Sequence, residues 1–117
     1  MASPSLADSS AQFLNYLRDV RQLSGHTLSN YERDLLSLKS YCDSRDISSA
    51  EKIQEADIRQ WVSQMHRRGL AGSSIQRSLS ATRSLFNYLG REAGYPRNPA
   101  ASVQAPRKPR KLPRTLD

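Results

Sequence analysis

An all-α fold, a compact four-helix bundle followed by an extended basic linker, is predicted for this 117-residue chain by three observations. Nowhere do apolar and polar residues alternate with the period of two that a half-buried strand needs. Four stretches instead carry apolar residues at helical spacing. Short links rich in glycine and serine separate them, as in a bundle of neighbouring helices.

The first stretch follows Ser9 and Ser10, either of which can cap a helix. Phe13, Leu14, Leu17, Val20 and Leu23 keep helical spacing, so this helix is expected to run to about Leu23. Residues 1–8 are small and polar and are expected to form a flexible N-terminus. Gly25 then reads as a stop and Thr27 as a restart. The second helix covers about 27–43, with Leu28, Tyr31, Leu35, Leu38 and Cys42 as its apolar stripe, and 44–49 reads as loop. Glu55 and Asp57 open the third helix, where acids suit the positive end of the helix dipole. Its stripe is Ile58, Trp61, Val62 and Met65, and Gly69 closes it. The fourth runs from Gly72 to about Glu92, with Ile75, Leu79, Thr82, Phe86 and Leu89 inward and Leu85 beside them. Past Gly94, Pro96, Pro99, Pro106, Pro109 and Pro113 fall among basic residues. Asn98-Pro99-Ala100-Ala101 has the makings of one short helical turn, and the rest reads as extended linker. The expected division is therefore 1–8 flexible, 9–103 a folded helical domain, and 104–117 a linker with the start of a following domain.

The length fits one domain and excludes two large ones or a barrel enzyme. The single cysteine, Cys42, excludes an intrachain disulfide. No run approaches the roughly 18 apolar residues of a membrane span, and no basic segment followed by an apolar one marks a secretory leader. A soluble cytoplasmic protein with no membrane partner is expected. The net charge of +7 is unevenly placed: residues 1–57 carry −3 and residues 58–117 carry +10. Between Ile58 and Arg91 there are six arginines and no acid. Asymmetry of this kind points to a polyanionic partner, most often nucleic acid.

On a helical wheel, the arc of the fourth helix opposite its apolar face carries Ser73, Gln76, Arg77, Ser80, Arg83, Ser84, Asn87 and Arg91. It offers arginines for phosphate or guanine, amides for base edges and small serines for close approach, with no carboxylate to repel a phosphate. An ordinary solvated face usually mixes acids with bases. The second helix shows a weaker version in Ser29, Asn30, Arg33, Ser37 and Ser40, and its start at Thr27 is expected to aim free N–H groups at a phosphate. The candidate DNA-binding residues are thus Thr27, Asn30, Arg33, Ser73, Gln76, Arg77, Ser80, Arg83 and Asn87. Arg77 and Arg83 are expected to contribute more than Arg18 or Arg21, which sit in the acidic half.

Other chemistry is poorly supplied. His26 and His66 are far apart in sequence with no cysteine or paired acids nearby, so no metal site is expected. Cys42 and Trp61 fall on core stripes. Tyr16, Tyr31, Tyr41, Tyr88 and Tyr95 include no evident nucleophile, with Tyr88 alone at the margin of the basic arc. No catalytic residue and no cofactor are assigned.

Two segments carry a family resemblance. Leu23-Ser24-Gly25-His26-Thr27-Leu28-Ser29-Asn30-Tyr31-Glu32-Arg33-Asp34-Leu35 and Ser74-Ile75-Gln76-Arg77-Ser78-Leu79-Ser80-Ala81-Thr82-Arg83-Ser84-Leu85-Phe86-Asn87-Tyr88-Leu89 resemble the core-binding domain of tyrosine recombinases. His66-Arg67-Arg68-Gly69-Leu70, Asn98-Pro99-Ala100 and Ala105-Pro106-Arg107 resemble the Xer branch of that family. The resemblance implies a four-helix SAM-like N-terminal domain that clamps one side of a double-stranded DNA recombination site. A separate catalytic domain, expected after Asp117, would supply the arginines, lysine, histidines and nucleophilic tyrosine. The parent would cut and rejoin DNA through a phosphotyrosine link, without ATP or metal. It would act with a XerD-type partner recombinase in a tetramer to resolve chromosome dimers at cell division. The chain alone is expected to be a monomer that binds without cutting.

Two other readings compete. A helical protein-interaction module of the SAM or death-domain kind has similar size and stripes but no need of an acid-free outer face. A helix-turn-helix regulator would read the groove with one helix pair and dimerise, which the basic tail does not favour.

Overall fold

The computed structural model describes residues 4–106 and contains four α-helices: α1 (Leu6–Asp19), α2 (Gly25–Ser44), α3 (Glu55–Arg67) and α4 (Gly72–Ala93). One 3₁₀ turn, Ala50–Lys52, joins α2 to α3, and no strand occurs among the described residues. The expected all-α bundle is observed. The linker expected over 104–117 lies outside the described residues from 107 onward.

Helices α2 and α4 pack against each other, α1 lies against both, and α3 packs on α4. The stripes read from sequence form the core in α3 and α4: Ile58, Trp61, Val62 and Met65, and Ile75, Leu79, Leu85, Phe86 and Leu89, are all buried. Phe13 and Leu17 of α1 and Leu35, Leu38 and Cys42 of α2 join them. Val20 departs from expectation. It follows the last turn of α1 and is 68% exposed.

The termini of α1 and α2 also differ from the sequence reading. Helix α1 begins at Leu6, because Ser5 rather than Ser9 or Ser10 caps it, its Oγ accepting from the Asp8 N–H at 3.0 Å. Leu6 is buried and its N–H donates to the Ser48 carbonyl at 3.0 Å, so the loose N-terminal stretch expected over 1–8 already gives way to packed helix at residue 6. Helix α1 ends at Asp19, and Gln22 takes a positive φ of 54° in the turn that follows. Gly25 is therefore not a stop but the first residue of α2.

Beyond α4 the chain turns back along the bundle. Gly94, at φ 71°, ends the helix in the left-handed conformation that glycine adopts without steric cost. Ala100 and Val103 are buried in the core. The expected short helix at Asn98 is realised as turns, with Asn98 Oδ1 accepting from the Ala100 N–H and the Asn98 carbonyl from the Ala101 N–H.

Candidate nucleic-acid interface

The outer face of α4 is built as its periodicity implies. Ser73, Gln76, Arg77, Ser80, Asn87 and Arg91 are exposed, while Arg83 and Ser84 are half-buried. At 100° per residue, Arg77 and Arg83 lie about 60° to either side of Ser80. They border the exposed arc rather than occupy its middle. Each border faces a different neighbour, and each arginine is held there by the protein.

On one border, Arg77 meets α2. Its Nε lies 3.1 Å from Asp34 Oδ2 and 3.3 Å from Oδ1, and its Nη2 lies 3.2 Å from Oδ1. The Asp34 side chain is 4% exposed and that of Arg77 47%. Ser78 Oγ donates to the same Oδ1 at 3.2 Å. The buried carboxylate thus has a charged partner and a neutral one, as burial of a charge requires. Around this pair Thr27, Asn30, Arg77 and Ser80 line a depression of about 200 Å³ between α2 and α4. Four of the sequence-predicted residues are therefore brought together at one place. Arg33 stands beside it, its Nη2 donating to Asn30 Oδ1 at 3.1 Å.

On the other border, Arg83 meets the returning chain. Its Nε donates to the Ala100 carbonyl at 2.9 Å and its Nη2 to the Val103 carbonyl. Asn98 Nδ2 donates to the Arg83 carbonyl and to Asn87 Oδ1, each at 3.1 Å. Arg83 and Asn87 therefore pin residues 98–103 to α4 and stand apart from the Arg77 cluster. Ser73 and Gln76 are exposed with no protein hydrogen bond from their side chains among the described residues.

Two expectations need correction, and one consequence follows for mutagenesis. The Thr27 amide is not open to a phosphate: α2 starts two residues earlier, and Ser24 Oγ accepts the Thr27 N–H at 3.2 Å while donating to Thr27 Oγ1 at 3.0 Å. Tyr88 does not border the basic arc but is 9% exposed, packed against Phe13 and Tyr16 with ring centroids 5.4 and 5.0 Å away. Arg77→Ala would not report on binding alone, because it strands the buried Asp34 carboxylate, and losing one partner of a buried pair costs several kcal/mol.

Sequence reading missed Asp34 itself, although a signal was present. Position 34 is three residues after Tyr31 and four before Leu38, so it falls on the inward stripe of α2. An acid on an inward stripe demands a cationic partner.

Elsewhere the charges pair locally. Arg18 meets Asp19 at 2.9 Å, which lowers the pKa of that carboxyl through the hydrogen bond. Arg59 meets Glu55 at 2.7 Å; this bond and a second from Ser102 hold Glu55 below the usual carboxylate range. Arg91 lies over the Tyr16 ring at 5.9 Å. Among the described residues no group of three or more His, Cys, Asp or Glu is placed to hold a metal ion, and no helix is long and apolar enough to cross a membrane.

Comparison with known proteins agrees with this architecture. Residues 11–93 match the phage integrase N-terminal SAM-like domain family. The tyrosine recombinase XerC of Pseudomonas aeruginosa strain LESB58 is 43% identical over 90% of this chain, which covers 35% of that protein. XerC of Stutzerimonas stutzeri is 39% identical over 90% of the chain and 35% of its own length. XerC of Xanthomonas campestris pv. campestris strain B100 is 41% identical over 90% of the chain and 33% of its own length. The chain thus spans about a third of the length of these curated relatives, and the sequence resemblance to the Xer branch, nearest to XerC, agrees with them. The crystal structure of the N-terminal domain of a phage integrase/site-specific recombinase from Haloarcula marismortui superposes with a TM-score of 0.76 at 14% identity, covering 91% of this chain and all of that one, and so shares the fold. By motif, fold and matched length, the chain belongs to the phage integrase N-terminal SAM-like domain family.

Proposed function

We propose that this chain is the DNA-gripping N-terminal domain of a site-specific tyrosine recombinase of the XerC type. The observation that carries the reading is the exposed arc of α4, which has arginine, amide and serine side chains and no acid, set beside the Thr27–Asn30–Arg33 edge of α2. An arc with those donors fits the major groove and its phosphates, with Ser80 at its middle and Gln76 and Ser73 to either side. Thr27, Asn30, Arg33 and Arg77 form one side of the grip. Arg83 brings charge and Asn87 an amide to the other side while anchoring 98–103. The catalytic tyrosine and its arginine clamp belong to a further domain of the whole protein. That protein cuts and rejoins DNA through a phosphotyrosine link in the cytoplasm, pairs with a XerD-type recombinase on a recombination site, and serves chromosome-dimer resolution at cell division.

The chain itself is expected to be monomeric and to bind duplex DNA weakly, since only one side of the duplex is gripped. With about six phosphate contacts, affinity should fall roughly 10³-fold between about 50 and 200 mM salt. Fluorescence anisotropy of a labelled duplex across a salt series measures this. A salt-insensitive association, or none at the low-salt end, refutes the proposal and returns the domain to the protein-interaction class.

A further inference from the structure

We infer that Asp34 is a positioning residue for DNA recognition: it fixes Arg77 so that one edge of the guanidinium is presented to a pair of acceptors on a single nucleotide. The inference deepens the proposed function and rests on it.

A guanidinium has two edges suited to paired acceptors. Its side edge is Nε with Nη2; its end edge is Nη1 with the outer N–H of Nη2. Asp34 takes the side edge of Arg77 through the three contacts at 3.1–3.3 Å. Among the described residues Nη1 has no protein acceptor. The carboxylate is itself fixed, being buried on α2 and bonded to Ser78 of α4. The end edge is thus left as a rigid fork on a half-exposed side chain, beside a depression that Thr27, Asn30 and Ser80 line with further hydrogen-bonding groups. Acceptor pairs of that spacing on duplex DNA are guanine O6 with N7 and the two non-bridging oxygens of a phosphate. A long flexible arginine on an exposed helix face would lose rotamer freedom on binding. Here the folded protein has already ordered it.

The sign of one measurement separates positioning from simple charge. Removing an acid beneath a DNA-binding surface should strengthen binding if only net charge matters. If Asp34 aims Arg77, removing it should weaken binding. Two variants of the full chain serve, with Asp34→Asn preserving shape and Arg77→Lys preserving charge. Both are titrated with a pool of randomised 30-base-pair duplex, after thermal melting has identified which remain folded. Each folded single variant is expected to bind about five- to tenfold more weakly, with an unchanged salt slope for Arg77→Lys. The double variant should be no weaker than Arg77→Lys alone. If Asp34→Asn does not fold, Arg77→Lys decides alone. Sequencing the bound fraction tells the acceptors apart: a guanine preference lost in the variants marks a base edge, and a uniform loss marks a phosphate. Unchanged or tighter binding by a folded Asp34→Asn, unchanged binding by Arg77→Lys, or additive losses in the double variant would overturn the inference while leaving the DNA-binding role standing. A wild-type chain that fails to bind the pool at low salt removes both.

Discussion

Arg83 gives its guanidinium to two main-chain carbonyls, those of Ala100 and Val103, and so closes the bundle as well as charging its surface. Charge-assisted hydrogen bonds of this kind contribute about 1.5–3 kcal/mol each. Arg83→Met keeps the aliphatic stem but removes both bonds, and is expected to lower stability by about 3 kcal/mol, the low end for two such bonds because the side chain is half-exposed. Urea unfolding measures that loss, and hydrogen exchange should quicken at the Ala101 and Val103 amides. An Arg83→Met chain of full stability would mean that these contacts do not hold the segment. Cys42 makes a different residue-scale prediction. Burial, assisted by Asp57 and Asp43, pushes its thiol up to about 12 from an ordinary 9.0. A group whose pKa is raised on folding favours the folded state while protonated in both states. Its contribution is therefore complete below pH 9 and is lost as pH rises toward 12. The native chain should resist a thiol reagent at pH 8 and react in denaturant. Cys42→Ala should flatten, though not abolish, the alkaline fall in stability, because desolvation also raises Tyr41.

Helices α2 and α4 show how two glycines of similar sequence appearance differ once folded. Gly94 ends α4 at φ 71°, where a Cβ would meet no atom within 4 Å, so the cost of Gly94→Ala is purely that of the backbone, about 1 kcal/mol. Gly25 is a first-turn residue of α2 without a positive φ and with equal open space. Gly25→Ala should stabilise by about 0.4–1 kcal/mol, chiefly by restricting the unfolded chain. Opposite shifts in melting temperature are the expected result, and equal shifts would contradict the helix boundaries. Periodicity alone could not distinguish the two glycines, because the true end of α1 depends on the turn at Gln22. The start of α1 is ambiguous in sequence for a similar reason: Ser5, Ser9 and Ser10 can each cap a helix, and the choice of Ser5 goes with burial of Leu6 and its long-range hydrogen bond to Ser48. The interiors of α3 and α4 were legible because every member of their stripes is buried against a neighbouring helix. The site was legible as a face but not as an arrangement. The wheel identified the exposed donors of α4, yet the partners of Arg77 and Arg83 come from α2 and from the returning chain, 43 and 17–20 residues away. Only the acid at position 34 carried that information locally.

At the scale of the whole molecule, the five tyrosines bear on whether this chain can cut the DNA it is proposed to hold. Attack on a phosphodiester needs a phenol that can lose its proton, a cationic clamp on the non-bridging oxygens and a donor for the leaving oxygen. Tyr88 is buried beneath Phe13 and Tyr16, with no room for a phosphate. Tyr31 is half-buried with its ring edge-on to Phe13. Tyr41 is 3% exposed and bonded through its hydroxyl to Gln60, and burial raises its pKa, the wrong direction for a nucleophile. Tyr16 lies under Arg91, and no second cation is seen against its ring among the described residues. Tyr95 is half-buried beside Pro96 in a cavity where Glu51 and Glu55 stand with the single cation Arg97, a lining with too little positive charge to clamp a phosphate. The two histidines are exposed at the start of α2 and the end of α3, on separate helices. No tyrosine among the described residues thus combines access with a cationic clamp. The expected outcome is that this chain, incubated with a duplex nicked beside the recombination point so that a covalent product is trapped, forms no protein–DNA adduct on a denaturing gel. The full-length relative, run alongside, should form one. An adduct from this chain that disappears on Tyr95→Phe or Tyr16→Phe would show that a nucleophile resides in the helical bundle, and would overturn the division between gripping and cutting.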